Sequence, residues 1–223
     1  MIKAIIFDLD GVIVDTAKHH FQAWSQIAKQ LNIPFEKEQN EDLKGISRIN
    51  SLEKILHWGD IKIHQEKKQE LLEKKNNIYL NLISKISAND LLPGVYELIK
   101  KFRICGYKIA LGSASKNAIP ILKKLNLFHL FDEIVDGNLV SVSKPHPEVF
   151  LKASSLLGVS RRNCLVFEDA QSGIDAAINA GMFCIAVENH GNLIRAHKKV
   201  SSLDEISDIS VFINDLTENK PKS

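Results

Sequence analysis

Short apolar runs recur along the chain at residues 4–7, 108–111, 133–135, 164–167 and 183–186. Each is too short for an independent helix, and none alternates apolar with polar like a strand that has one wet face. They predict strands buried on both faces, as in a parallel sheet. Helical patterns lie between most of them, at 95–102 behind Leu91-Leu92-Pro93-Gly94, at 115–125, at 148–157 and at 172–180. Strand alternating with helix predicts an α/β protein with an open parallel sheet covered by helices.

Residues 15–87 break the alternation and contain no clear strand pattern. Phe21, Trp24, Ala28 and Leu31 share helical spacing behind a cap at Asp15 or Thr16. Leu71, Leu72, Ile78, Tyr79, Leu82 and Ile83 form a second apolar stripe. The pattern predicts an inserted helical cap domain at 15–87, on an α/β core made of 1–14 and 88–223, with two connections acting as hinges. A ligand would sit between the two bodies, at the carboxyl ends of the strands. There is no internal repeat, and the polar residues 217–223 are expected to fray.

Composition narrows the function classes. A chain of 223 residues with 44% hydrophobic content can bury a substantial core. Its formal net charge of +2 gives no basic field of the kind that captures nucleic acid. The first apolar run is too short for a secretory signal, and no segment reaches the ~20 apolar residues needed to cross a bilayer. Cys105, Cys164 and Cys184 are odd in number, widely spaced and near apolar runs. They predict buried free thiols in a reducing cytoplasm, without a disulfide or metal framework. The expected partner is a small molecule. The lack of a long exposed apolar stripe predicts a monomer.

The chemistry is concentrated at strand ends. Asp8 and Asp10 follow the first strand, two residues apart, so both carboxylates face one side while Leu9 turns away. Gly11 then permits a sharp turn. Such a pair is either a solvated strand-end turn or a site where a cation joins the two acids. Glu168-Asp169 repeats the arrangement after the run at 164–167. These acids either cap the helix that follows or complete a set of hard oxygen ligands suited to Mg²⁺. The segment Ser113-Ala114-Ser115-Lys116-Asn117 follows the second strand and starts a helix. It is an ordinary serine cap or a phosphate cradle of hydroxyls and free N–H groups. Lys144 lies between prolines in Ser143-Lys144-Pro145-His146-Pro147, either as a surface charge or as the counterion of a phosphoryl group and Asp8. His57, His64, His129, His146, His190 and His197 show no ligand spacing and are expected at the surface.

Asp8-Leu9-Asp10-Gly11-Val12, Ser113, Lys144 and Glu168-Asp169 resemble the four motifs of the haloacid dehalogenase superfamily in order and spacing. The inserted helices resemble the small helical cap of one of its subclasses. That likeness implies a Rossmann-like parallel sheet core with an inserted cap. Further segments are similar to the β-phosphoglucomutase family. They are residues 7–24, Leu43-Lys44-Gly45-Ile46-Ser47-Arg48, Ser51-Leu52, Lys75-Asn76-Asn77 with Tyr79, and Ser113 to Asn117. Gly112 stands where a small residue such as alanine is expected, His19 takes a position that is often aromatic, and the chain after Gly191 matches poorly.

The resemblance implies a phospho-enzyme. Asp8 would be the nucleophile and Asp10 the general acid and base. Asp8, the Asp10 carbonyl, Glu168 and Asp169 would bind Mg²⁺. Ser113, Ala114 and Lys144 would hold the transferring phosphoryl group, and Arg48 with Ser115, Lys116 and Asn117 a second phosphate. His20, Trp24, Leu43, Lys44, Gly45, Ser51, Lys75 and Asn76 would line the cap side, with Thr16 in the hinge. The implied reaction interconverts β-D-glucose 1-phosphate and glucose 6-phosphate through glucose 1,6-bisphosphate. Arg48 decides between this phosphomutase and a sugar-phosphate phosphatase, because only the mutase must grip a bisphosphate in both orientations. Seen alone, Arg48 could instead form a salt bridge on the cap surface. A non-catalytic phosphosugar sensor is the third possibility, and the intact Asp8/Asp10 pair argues against it.

Overall fold

Strand β1 (Ala4–Phe7) is wholly buried and lies at the centre of the sheet. A computed structural model describes residues 1–188 and 193–218. The remaining strands are β2 (Lys108–Gly112), β3 (Glu133–Val135), β4 (Cys164–Glu168), β5 (Phe183–Val187) and β6 (Lys198–Val200). All pair in parallel, in the order β3-β2-β1-β4-β5-β6. This is the doubly wound, Rossmann-like order, and its direction reverses at β1. β6 answers to no predicted run: two of its three residues are lysines, and only Val200 is buried.

The two-residue period of the strands sorts their side chains into two layers. Ile5, Phe7, Leu111, Leu165, Phe167 and Ile185 fall in one core cluster. Ala4, Ile6, Ala110, Cys164, Val166 and Ala186 fall in the other. Helices α5 (Val95–Ile104), α6 (Ala118–Lys124), α7 (Glu148–Leu156), α8 (Gln171–Asn179) and α9 (Ile209–Glu218) complete the layers. Gly112 is explained by packing. A Cβ there would lie 2.9 Å from the Phe150 ring and 3.2 Å from Ile6.

Helices α1 (Ala17–Gln30), α2 (Lys37–Glu41), α3 (Arg48–Trp58) and α4 (Gln65–Leu82) follow β1. They bury a separate cluster that includes Trp24, Ile27, Leu52, Leu56 and Leu71. The two connecting segments run side by side, with Val14 bridged to Leu91 and Leu92 N–H bonded to Ile13 O at 3.0 Å. Thr16 is the N-cap residue of α1, yet its side chain makes no cap bond, and Asp15 Oδ1 accepts from the Ala17 N–H instead.

Several expectations are corrected. The helix expected from Ser115 starts at Ala118, because residues 115–117 are held in tight turns. Cys105 is exposed as the C-cap residue of α5, while Cys164 and Cys184 are buried. Phe21 and Leu31 are only half-buried; Ala23 and Ile27 take the inward positions. Thr217 and Glu218 belong to α9, so the helix continues past the point where fraying was expected. His190 and residues 219–223 lie outside the described residues. His57, His64, His129, His146 and His197 are exposed as expected. Among the described residues no helix is long and apolar enough to cross a membrane.

Candidate active site

The pairing of Phe7 with Phe167 brings the next residues of β1 and β4 together at one sheet edge. Asp8 N–H bonds to Phe167 O at 3.0 Å, which fixes the start of the turn. Asp8, Glu168 and Asp169 then offer oxygens that all lie within 4.8 Å of one another. Gly11 makes the approach possible. It has φ +83°, and a Cβ would sit 2.0 Å from Asp169 Oδ2. Gly173 plays the same part for Glu168, whose Oε1 would lie 1.7 Å from an added Cβ.

Lys144 crosses beneath these acids and is only 1% exposed. Its ammonium donates to Asp8 Oδ1 and to Glu168 Oε1, both at 2.5 Å. Burial works against its charge, but Asp8 and Glu168 outweigh burial and raise its pKa. Burial pushes Glu168 up to about 7 against the pull of Lys144. Asp169 rises well above the usual range through burial and then the charges of Glu168 and Asp8. Lys44, at 3.7 Å, is the cation nearest to it. One buried lysine therefore faces three clustered carboxylates. Hard oxygen donors at this spacing fit a divalent cation, whose charge would offset the excess.

Asp10 points into the same space. Burial, then the Asp8 charge, pushes its carboxyl up to about 6, although Thr16, Lys75 and Lys144 oppose this. The Thr16 hydroxyl donates a short hydrogen bond to Asp10 Oδ1. His20 Nε2 lies 3.9 Å from the same oxygen. His20 Nδ1 is 3.0 Å from Lys75 Nζ. Burial and the nearby Lys75 hold His20 well below its usual pKa, so it is neutral. With Lys75 donating to Nδ1, the ring proton sits on Nε2 and faces Asp10. Lys75 itself is 2% exposed, lies over the Trp24 and Tyr79 rings and is pushed down to about 7 by burial and then by Arg48.

These groups line a cleft of about 570 Å³ between the helices and the sheet. Its walls include Asp8, Asp10, Thr16, His20, Trp24, Leu43, Lys44, Gly45, Arg48, Ser51, Lys75, Asp169 and residues 113–117. Lys144 and Glu168 lie under its floor. Asn76 acts from behind the wall, accepting from Asn117 Nδ2 at 3.0 Å. A more open groove of about 800 Å³ lies at the amino ends of β5 and β6, lined by Arg162 and Phe183. None of the clustered carboxylates reaches it.

Residues 113–117 form the cradle without a helix start. Ser113 Oγ accepts from Ser115 N–H and Ser115 Oγ from Asn117 N–H, at 3.1 and 3.2 Å. The Ala114 and Lys116 N–H groups make no hydrogen bond among the described residues and remain available for an anion. Ser51 spends its hydroxyl on Ser47 O. Arg48 opens α3 and makes no salt bridge among the described residues, so the cap-surface pairing is absent.

Hydrogen bonds join the inserted helices and their connections to the sheet-bearing part, beside the Lys44–Asp169 ion pair. Ser172 Oγ donates to Lys44 O at 3.0 Å, and Asn50 Nδ2 donates to Ser143 Oγ at 2.8 Å. Asn117 joins Asn76, and Lys124 Nζ bonds to Ser84 O at 2.6 Å. Gly45, with φ +71°, permits the first contact, since a Cβ would lie 2.4 Å from Ser172 Oγ. Sequence reasoning missed Asn40, Ser47, Asn50, Tyr79 and, from the loop at 137–143, Gly137 and residues 140–143 as wall residues. That loop carries the signal it overlooked: a Gly- and Ser-bearing stretch directly after β3, at the same sheet edge.

Comparison with known proteins agrees with this geometry. The family model for haloacid dehalogenase-like hydrolases matches residues 5–187. A β-phosphoglucomutase from Bacillus subtilis is 48% identical over 83% of either chain. A phosphorylated carbohydrates phosphatase from Thermotoga maritima is 30% identical over 81% of this chain and 82% of its own. The crystal structure of a β-phosphoglucomutase from Clostridium difficile superposes with a TM-score of 0.93 at 43% identity, covering 98% of both chains. A match over most of the chain, with the clustered carboxylates and Lys144 inside it, means that the protein belongs to the haloacid dehalogenase-like hydrolase family.

Proposed function

We propose that this protein is a phosphomutase that interconverts β-D-glucose 1-phosphate and glucose 6-phosphate through a phospho-Asp8 enzyme and glucose 1,6-bisphosphate. The carrying observation is Arg48: a planar cation with no carboxylate partner among the described residues, set in the cleft wall apart from the carboxylate cluster. A second phosphate is the ligand such a group suits. The likeness to two β-phosphoglucomutases supports the same reading. We further propose the division into a core of residues 1–14 and 88–223 and a cap of 15–87, which the separate apolar cluster of the cap supports.

In the proposed cycle a sugar hydroxyl attacks the phosphorus of phospho-Asp8, the bond from phosphorus to the Asp8 oxygen breaks to free the carboxylate, and Asp10 takes the hydroxyl proton. The bisphosphate turns over in the cleft. Asp8 then attacks the other phosphorus, the bond from that phosphorus to the sugar oxygen breaks, and Asp10 returns the proton to that oxygen. A carboxyl raised to about 6 suits both directions of transfer. Lys144, Ser113 and the Ala114 N–H would hold the transferring group, and Arg48 with residues 115–117 the idle one. Mg²⁺ held by Asp8, the Asp10 carbonyl, Glu168 and Asp169 would supply positive charge against the phosphoryl oxygens. The cap contacts described above would keep water from phospho-Asp8.

Phosphorus NMR with β-glucose 1-phosphate, Mg²⁺ and a trace of the bisphosphate tests the reading. Glucose 6-phosphate should accumulate without free phosphate. Release of free phosphate in step with sugar loss would instead make the enzyme a sugar-phosphate phosphatase, the activity named for the Thermotoga relative.

A further inference from the structure

Tyr79 has no part in the cycle above, yet it packs among the cleft residues that surround Asp10. It follows Lys75 by one turn of α4 and is 1% exposed. Its ring lies against His20, with centroids 4.3 Å apart at 45°. The Lys75 ammonium is 4.7 Å from the ring centroid. The hydroxyl is buried and meets no hydrogen bond of full geometry among the described residues, with Thr16 as the side chain placed to pair with it. Its polar neighbours are Thr16, Asp10 and Arg48. A phenylalanine would fill this space equally well without the cost of burying a hydroxyl. The oxygen therefore has a use beyond packing.

Thr16 suggests what that use is. Its proton is committed to Asp10, but its oxygen keeps lone pairs that can accept from a neighbouring hydroxyl. A donor on that side directs the Thr16 proton toward Asp10. We infer that Tyr79 is a positioning residue for the acid–base step: its ring fixes His20 and Lys75, and its hydroxyl, beside Thr16, keeps the Thr16–Asp10 pair aligned with the sugar oxygen. This role rests on the phosphomutase reading above. Tyr79 acts through Thr16 and Asp10 and touches no reacting atom.

The test compares the full-length wild type with Tyr79→Phe and Tyr79→Leu in the presence of Mg²⁺. Phenylalanine deletes one oxygen and keeps the ring. Tyr79→Phe should melt within a few degrees of the wild type, because the ring and its packing are kept. Its KM for β-glucose 1-phosphate should stay within about twofold, while kcat falls about tenfold. Phosphorylation of Asp8 from acetyl phosphate should run at the wild-type rate, since a carboxylate leaving group needs no proton. Tyr79→Leu should raise KM as well, because His20 and Lys75 lose their support. A Tyr79→Phe protein with unchanged kcat, or with both donors slowed equally, overturns the proposal. A wild type that accepts acetyl phosphate but turns over no phosphosugar sinks the substrate reading and this role with it, by a result no Tyr79 variant can mimic.

Discussion

Lys75 occupies a helix position where the stripe through Leu71, Leu72 and Tyr79 would place an apolar residue. Its ammonium has two aromatic faces and a neutral histidine for company, and among the described residues no carboxylate within salt-bridge distance. The consequence is a pH effect of definite sign. The folded state binds the Lys75 proton only below about 7, whereas the unfolded chain keeps it to about 10.5. Between those values the unfolded state holds more protons, so stability from this group rises with pH. Below about 7 the full cost of burying the charge is present. Lys75→Met should therefore raise stability at neutral pH, on the order of a few kcal/mol. It should also flatten the rise between neutral and alkaline pH in urea melts. The same variant should bind substrate poorly. A pH slope unchanged by the substitution would refute the assignment.

At the scale of elements, the start of α3 and the cap contacts set what the cleft can hold. Arg48 stands at the first position of α3, behind Ser47, whose side chain accepts from Asn50 N–H at 3.2 Å. The helix start thus places free N–H groups and a guanidinium together, an arrangement that suits an anion. Arg48→Ala should lower kcat/KM for the mutase reaction about 100-fold, roughly 3 kcal/mol of charge-assisted bonding. Hydrolysis of small phosphate esters should survive. Equal loss of both activities would remove Arg48 from the second phosphate site. Cap closure has its own probe in the Asn50–Ser143 bond. Asn50→Ala, Ser143→Ala and the double variant should each cost about 1 kcal/mol of closure, without additivity. The readout is faster hydrolysis of the phospho-enzyme, by about fivefold.

Over the whole molecule, the balance of charge at the sheet edge links folding to metal. Asp8, Glu168 and Asp169 are drawn together with Lys144 as the buried cation among them. A divalent cation that binds only the folded state adds about 2.7 kcal/mol at a hundredfold excess over its Kd. For a chain of this length the expected rise in melting temperature is roughly 5–10 °C. Calorimetry with and without a chelator measures it. Asp169→Asn should abolish most of the increase, and a melting temperature indifferent to Mg²⁺ would argue that the cluster holds no metal.

Strand–helix alternation, the interruption at 15–87 and the acids after 4–7 and 164–167 were all legible in the chain, because buried strands and tight turns impose local rules on residue type. Gly11 and Gly173 were visible only as turn formers. Their reason, the room needed by Asp169 and Glu168, comes from segments more than 150 residues away in one case and from across a turn in the other. β6 was hidden because an edge strand need bury little, and its lysines gave no apolar run. Tyr79, Asn50 and the loop at 137–143 became wall residues only when the cap met the core. Local sequence fixes which residues can form each element and which carry reactive groups. Which of those groups meet is decided by packing across the sheet and between the two bodies, since contact between distant segments has no periodicity to read.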